Sequence, residues 1–243
     1  MTRQKPINNI FSNQPDLFGT RNRFALTSEP FDVNFGLPPF WKPEPFGYKQ
    51  FKLGVLAIRP EVSPFEVSLA QLRMISPHAK VSDLTVALPY LNATMKKYEI
   101  NTRLRQAHFL AQVAHESAEF RTTQEYATGA AYEGRKDLGN TVAGDGKKFK
   151  GRGLIQITGR ANYTAYGLYI NQDVTTSENP KKLEKYPLAA DCAGWFWTIL
   201  KKLNRLADAD NLIAITRKIN GGTNGIKNRT QHLANAKKAF HIK

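Results

Sequence analysis

One cysteine, Cys192, is the whole thiol content of this 243-residue chain, so no intrachain disulfide can form. That usage fits synthesis in a reducing compartment. Cys192 precedes Ala193-Gly194-Trp195-Phe196-Trp197, which reads as buried helix. It is therefore expected to be a core thiol rather than a nucleophile. No apolar run approaches the roughly 18 residues that a membrane span needs. The longest candidate, Leu53 to Ile58, reads as a strand. The N-terminus, Met1-Thr2-Arg3-Gln4-Lys5-Pro6, is basic but has no apolar stretch behind it, so a cleavable secretion signal is not expected. Metal-ligand patterns are missing too. His115-Glu116-Ser117-Ala118-Glu119 lacks the second histidine of a zinc-protease helix. His108 and His115 have no cysteine or third histidine clustered with them, so both are expected as structural side chains. Gly134 to Thr141 mimics a phosphate loop, but Asn140 stands where lysine is required and no apolar strand precedes it. Neither a metal nor a cofactor is expected.

Proline is scarce over most of the chain. Nine of the 13 prolines and nine of the 14 phenylalanines fall in residues 1–66, most densely in Pro38-Pro39-Phe40-Trp41-Lys42-Pro43-Glu44-Pro45-Phe46. Such density forbids regular helix. So many aromatics also argue against a plain flexible linker, because they favour burial. Residues 1–66 are read as an irregular Pro/Phe-rich arm that packs on the main domain or on a partner, with Lys52 to Val62 as a candidate strand. The remainder, 67–243, is long enough for one sizeable core. There is no internal repeat.

From Ser68 onward the apolar spacing turns helical. Leu69, Leu72 and Met74-Ile75 begin a stripe. Ser82-Asp83 caps a predicted helix carrying Leu84, Leu88, Leu91 and Met95. Thr102 caps the next, with Leu104, Ala107, Leu110, Ala111 and Ala114 on one face. Ala189 to Leu203 and Leu212 to Ile219 are further helices. Gly221-Gly222-Thr223-Asn224-Gly225 marks a turn, and a basic helix runs from Thr230. Only Leu154 to Thr158 looks extended. The expectation is a mainly α domain with a small β element.

Acidic residues are outnumbered. The formal net charge is +15, and residues 1–66 hold only 8 Lys/Arg against 6 Asp/Glu, which leaves 27 against 14 in residues 67–243. A field of that size favours a polyanionic partner, whether nucleic acid, an acidic membrane surface or an acidic cell wall. The run Lys147, Lys148, Lys150 and Arg152 is read first as a solvated face, with engagement of wall carboxylates beside a cleft as the alternative. A nucleic-acid partner would rest on charge alone, since no recognisable module accompanies it and the aromatics are not interleaved with the basic run.

Two carboxylates flank a polar stretch. Glu116 falls near the end of an Ala/Leu-rich helix, and Glu125 lies nine residues on, past the helix end. Glycoside hydrolysis uses one carboxylic acid to protonate the leaving oxygen and a second carboxylate to activate water or to attack directly. Spacing alone is a weak signal for that pair.

The wording of four blocks is more specific. They are Phe109-Leu110-Ala111-Gln112-Val113-Ala114-His115-Glu116-Ser117; Tyr132-Glu133-Gly134-Arg135 with Leu138-Gly139-Asn140-Thr141; Gly151-Arg152-Gly153 through Tyr163; and Ile219-Asn220-Gly221-Gly222. In this order they resemble glycoside hydrolase family 19, the chitinase family, and within it the bacterial and phage endolysin branch. The resemblance covers residues 67–243. It implies a lysozyme-like, two-lobed helical fold with a cleft, Glu116 as general acid and Glu125 as general base. It implies that Thr158 helps hold the attacking water and that His115, Gln156, Asn162 and Asn220 contact sugar. It matches Arg229 to an arginine that orients the base. The family inverts at the anomeric carbon, so the carboxyls are expected roughly 6.5–9.5 Å apart. Leu154 stands where the family often has proline, and Phe149 where tyrosine is common.

Chitin and peptidoglycan share β-1,4-linked N-acetylglucosamine, so the expected acid and base do not separate them. Motif wording, the absent signal and the positive charge favour peptidoglycan glycan strands, with an anionic outer-membrane surface as a second contact. The expectation is a monomeric phage or prophage endolysin, made in the cytoplasm and released to the wall by a holin. A chitinase, a muralytic toxin or virion-associated lysin delivered by an apparatus, and a non-catalytic wall-binding protein are the alternatives.

Overall fold

A computed structural model describes residues 65–243. All but the last two residues of the expected arm, and the candidate strand Lys52 to Val62, lie outside the described residues. Helix α1 (Leu69–Ile75) starts at Ser68, whose hydroxyl accepts from the Gln71 amide while the Gln71 side chain accepts from the Ser68 amide. This reciprocal cap satisfies two donors that a helix start otherwise leaves unpaired. Helix α2 (Val81–Lys97) starts one residue before the Ser82-Asp83 cap expected from sequence, with Lys80 at the cap. Asp83 falls instead in its first turn, where a negative charge suits the helix dipole.

Helix α3 (Arg103–Glu116) is capped by Thr102 as expected, the hydroxyl accepting from the Arg105 amide at 3.2 Å. Every residue from Gln106 to Ala114 is buried. A helix buried on all faces must satisfy its polar side chains internally. Gln106 donates to the Phe65 carbonyl, His108 pairs with Asp210, and Gln112 donates to Thr216. This central helix ends at Glu116.

The chain continues through α4 (Asp145–Lys148), α5 (Arg160–Ile170) and α6 (Leu188–Trp195), which runs on as a π-helical turn over Phe196–Leu200. Helices α7 (Asn204–Asp208), α8 (Leu212–Asn220) and α9 (Ile226–Ala239) complete it. The basic helix thus begins at Ile226, four residues before Thr230. The elements pack in two groups. In one, α9, α1 and α7 lie on α3, and α6 lies on α2. Gly194 sets the α2–α6 approach, since a Cβ there would stand 2.3 Å from the Tyr98 ring. In the other, α4 packs on a 3-10 turn at Ala130–Tyr132, and α5 on one at Lys136–Leu138. Cys192 is fully buried on α6, and burial pushes its thiol up, away from nucleophilic use. Among the described residues no helix is long and apolar enough to cross a membrane.

The stretch expected to be extended is a turn. Residues 153–156 form a tight loop closed by the Arg152 and Ile157 backbones, which exchange bonds of 3.1 and 2.8 Å. Gly153 and Gln156 carry left-handed φ of 76° and 58°, which curls the segment back. Leu154, Ile155 and Ile157 are buried because the loop presses into the core, not because they alternate across a sheet. The β content here is two isolated bridges, Gln124 with Arg152 and Arg152 with Ile157. The basic run is also not one solvated face. Lys150 donates to the Glu125 and Ala127 carbonyls, and the Arg152 side chain is only 5% exposed against Glu184.

Candidate active site

Glu116 sits at the last residue of α3, where the buried helix meets solvent. Its side chain is 18% exposed, and Oε1 accepts from Arg229 Nη2 at 2.5 Å. Sequence expects the burial, but it supplies an apolar wall where the structure has a guanidinium. Arg229 is itself 2% exposed on α9 and donates to three groups. The others are the Gln112 side-chain oxygen and, through Nε at 3.3 Å, the Asn224 carbonyl. Arg229 is expected to orient the base. The structure instead pairs it with Glu116, the expected acid, because the packing of α9 on α3 carries it to the end of α3. Beside it, His115 Nδ1 meets Asn228 Oδ1 at 2.7 Å, and burial pushes the imidazole below its ordinary range. Gly225 lies flat on that ring, where a Cβ would stand 2.2 Å away.

Three left-handed residues in succession, Ala118, Glu119 and Phe120, turn the chain away from Glu116. Left-handed backbone costs about 1–2 kcal/mol per residue outside glycine. Ser117 offsets part of it: its hydroxyl donates to the Val113 carbonyl and accepts from the Phe120 amide. Strain held by such a local network is commonly found at functional sites.

Glu125 then joins the 151–158 loop, its amide donating to the Gly151 carbonyl at 3.0 Å. Glu125 Oε2 accepts from the Tyr132 hydroxyl at 2.9 Å. Its Oε1 is buried and has no hydrogen-bond partner among the described residues. Gly151 gathers the rest. A Cβ there would lie 2.9 Å from Glu125 Oε2, 2.9 Å from Gln156 Oε1 and 3.4 Å from Thr158 Oγ1. Gln156 is anchored through Nε2 to the Gly153 carbonyl, and Thr158 donates its hydroxyl to the Gln156 carbonyl. Asn162 donates to the Thr158 carbonyl at 2.8 Å.

The expected residues therefore form two clusters. Glu116, His115 and Arg229 stand in one; Glu125, Gln156, Thr158 and Asn162 in the other. Asn220 is next to the first but has both ends of its amide engaged, Oδ1 with the Gly222 amide and Nδ2 with the Asn224 carbonyl. It shapes the loop that presents the Asn224 carbonyl to Arg229. Sequence reasoning assigns no role to Tyr132, Gln112 or Tyr126. The first two signal themselves only through their partners. Tyr126 follows Glu125 and is 84% exposed, an aromatic face open to a passing ligand. Among the described residues no group of three or more His, Cys, Asp or Glu is placed to hold a metal.

Gly151→Ala is expected to separate stability from turnover. The colliding atoms are the ends of movable side chains, so unfolding free energy should fall by only about 1 kcal/mol. Displacing three functional oxygens by a fraction of an ångström should still slow turnover roughly tenfold to a hundredfold. Denaturant melts beside glycan-cleavage rates check this. An unchanged rate would mean that the three oxygens do not act together.

No family model matches the chain. It is 31% identical over 194 residues to a Haemophilus influenzae glycosyl hydrolase family 19 domain-containing protein, covering 67% of this chain and 92% of that one. An endochitinase of Arabidopsis thaliana is 37% identical over 117 residues, 48% of this chain and 38% of its own length. Chitinase C from Streptomyces griseus shares the fold with a TM-score of 0.61 at 20% identity, covering 75% of this chain and 96% of that chain. The class IV family 19 chitinase of Zea mays does so at 0.52 and 22%, covering 73% and 94%. The helical fold is the lysozyme-like one that the resemblance implies, and the chain belongs to glycosyl hydrolase family 19 as a chitinase-like glycosidase.

Proposed function

We propose that the chain cleaves the β-1,4-linked glycan of bacterial peptidoglycan with inversion, Glu116 serving as general acid and Glu125 as general base. The observation that carries the assignment is the state of Glu125. One carboxylate oxygen, Oε2, is tied to Tyr132 and converges with the Thr158 hydroxyl at Gly151, and the other, Oε1, is without a hydrogen-bond partner among the described residues. A base needs one acceptor that the protein has not already engaged, and Oε1 meets that condition. Thr158 already spends its proton on the Gln156 carbonyl. Its oxygen therefore accepts from the attacking water. With both hydrogens directed to Glu125 and Thr158, the water's lone pair is free to attack the anomeric carbon. On the other cluster, Glu116 Oε1 is fixed by Arg229, which leaves Oε2 to carry the proton to the departing sugar oxygen. An inverting pair needs a separation of roughly 6.5–9.5 Å to admit that water.

Peptidoglycan is favoured over chitin by charge: chitin is uncharged, and a net charge of +15 suits an anionic envelope. The enzyme acts as a monomer on the wall after release from the cytoplasm, as an endolysin or a delivered lysin does.

The test is to incubate the protein with isolated peptidoglycan and, separately, with chitin oligomers, and to identify products by mass spectrometry and their first anomer by NMR. Muropeptides whose new reducing end is first α are the expected products. Chitin fragments alone would move the activity to chitin, and a first-formed β anomer would exclude the inverting mechanism.

A further inference from the structure

Glu125 stands at the start of a short loop that returns to it at Tyr132, whose hydroxyl donates to Glu125 Oε2. Little in the loop's own residues, Glu125-Tyr126-Ala127-Thr128-Gly129-Ala130-Ala131-Tyr132, fixes where it lies. Its regular element is the 3-10 turn at Ala130–Tyr132, which Gly129 opens with a left-handed φ of 84°. A loop that carries functional groups is placed by the scaffold it rests on.

The support of this loop is Lys150. Its ammonium donates to the Glu125 carbonyl and to the Ala127 carbonyl, both at 3.1 Å. The backbone pairing that includes the Gln124–Arg152 bridge and the Glu125 amide stops there, and the lysine supplies the donors that a neighbouring strand would otherwise supply. The ammonium forms no ion pair among the described residues, so its donors serve the loop. Further along, Gly129 lies on the stem of the same side chain. A Cβ at Gly129 would stand 2.8 Å from the Lys150 Cβ and 2.4 Å from the Gly146 carbonyl oxygen. Lys150 is itself anchored from below, its carbonyl accepting from the hydroxyl of buried Tyr163 at 2.8 Å. One side chain thus meets the loop at residues 125, 127 and 129 before Tyr132 closes it.

We propose that Lys150 is a positioning residue for the general base: by holding the Glu125 and Ala127 carbonyls it sets the direction of the Glu125 carboxyl and the reach of Tyr132 to it. The role rests on Glu125 being that base. The ammonium transfers no proton in it. Released from Lys150, the carboxyl stays in place chemically but loses its aim, and a small misplacement of a reacting group slows chemistry more than binding.

Lys150→Met and Lys150→Arg are compared with wild type on isolated peptidoglycan and on chitin oligomers, well below the melting midpoint of each protein. Methionine keeps a stem to pack on Gly129 and removes the donors, whereas arginine keeps both. On whichever glycan wild type cuts, the methionine variant is expected to lose about tenfold to a hundredfold in kcat with KM within about twofold, and arginine to recover most of that loss. The methionine change is then made in Glu125→Gln. There it should lower the residual rate by less than about twofold, since the group it positions is no longer basic. A KM effect with kcat kept, an arginine variant as slow as the methionine one, or an undiminished loss in the Glu125→Gln background overturns the proposal. So does a methionine variant that melts earlier but turns over normally, which is what a purely structural lysine gives. Should methionine prevent folding, Lys150→Gln, a shorter donor, is read by the same criteria. If Glu125→Gln loses less than about tenfold, the base reading fails and the role of Lys150 with it. A loss of about 10³-fold there beside an unaffected Lys150→Met defeats the role of Lys150 alone.

Discussion

Glu125→Gln is expected to lower kcat by about 10³-fold, within the range that a positioned general base contributes, while changing unfolding free energy by less than about 1 kcal/mol. The amide is the same size, and its oxygen still accepts from Tyr132. What disappears is the basic Oε1, which has no partner among the described residues and so little structural work to lose. Glu116→Gln should lower kcat to a similar degree but behave differently in the melt. Its Oε1 accepts from the buried guanidinium of Arg229. Exchanging the carboxyl for an amide weakens a hydrogen bond to a charged group and should cost about 1.5–3 kcal/mol. Rates measured from reducing-end release, with denaturant melts on the same preparations, read both effects. A loss below tenfold in either variant would remove that carboxylate from proton transfer. An equal stability loss in both would mean that Arg229 does not discriminate between them.

Much of the site is legible in the sequence because its parts are local. Thr102 caps α3 by a bond three residues away, and the apolar face of that helix leads directly to Glu116. Gly151, Gln156 and Thr158 lie within eight residues of each other, so the motif carries the cradle with it. Three features were not legible, for physical reasons. The 153–156 turn reads as part of a strand because Leu154, Ile155 and the adjoining Ile157 crowd the segment, and its left-handed Gln156 has no sequence signature. The Ala118-Glu119-Phe120 turn is built from residues that rarely adopt positive φ, and it is held by hydrogen bonds that local pattern does not announce, those of the Ser117 hydroxyl and of His78 to Glu119 among them. The partner of Arg229 is 113 positions away, a contact that local pattern does not encode. The same holds for the contacts of Lys150 with Glu125 and Ala127 and of Arg152 with Glu184, which span 23 to 32 positions.

That long-range contact gives the largest expected stability effect. Arg229→Met should destabilise the protein by about 3–5 kcal/mol, the cost of leaving a buried charge without its partner. Methionine keeps most of the aliphatic volume, so a cavity is not the main loss. The loss is polar: Glu116 Oε1, the Gln112 side-chain oxygen and the Asn224 carbonyl all lose their donor at once. Gln112 also reaches Thr216 on α8, so the guanidinium ties α3, α8 and the Asn224 loop into one network. Arg229→Lys should recover part of the stability, since an ammonium keeps the charge but lacks the planar fork that reaches three acceptors. Turnover should fall in both, because Glu116 is then no longer fixed. The decisive experiment is a double-mutant cycle with Glu116→Gln, read as shifts of the denaturant midpoint at constant slope. If the pair holds the site, the double variant loses clearly less than the sum of the singles, since each single has already broken the same contact. Strict additivity would show that Arg229 stabilises the fold through Gln112 and Asn224 alone, and Glu116 would then owe its position to the end of α3 rather than to its ion pair.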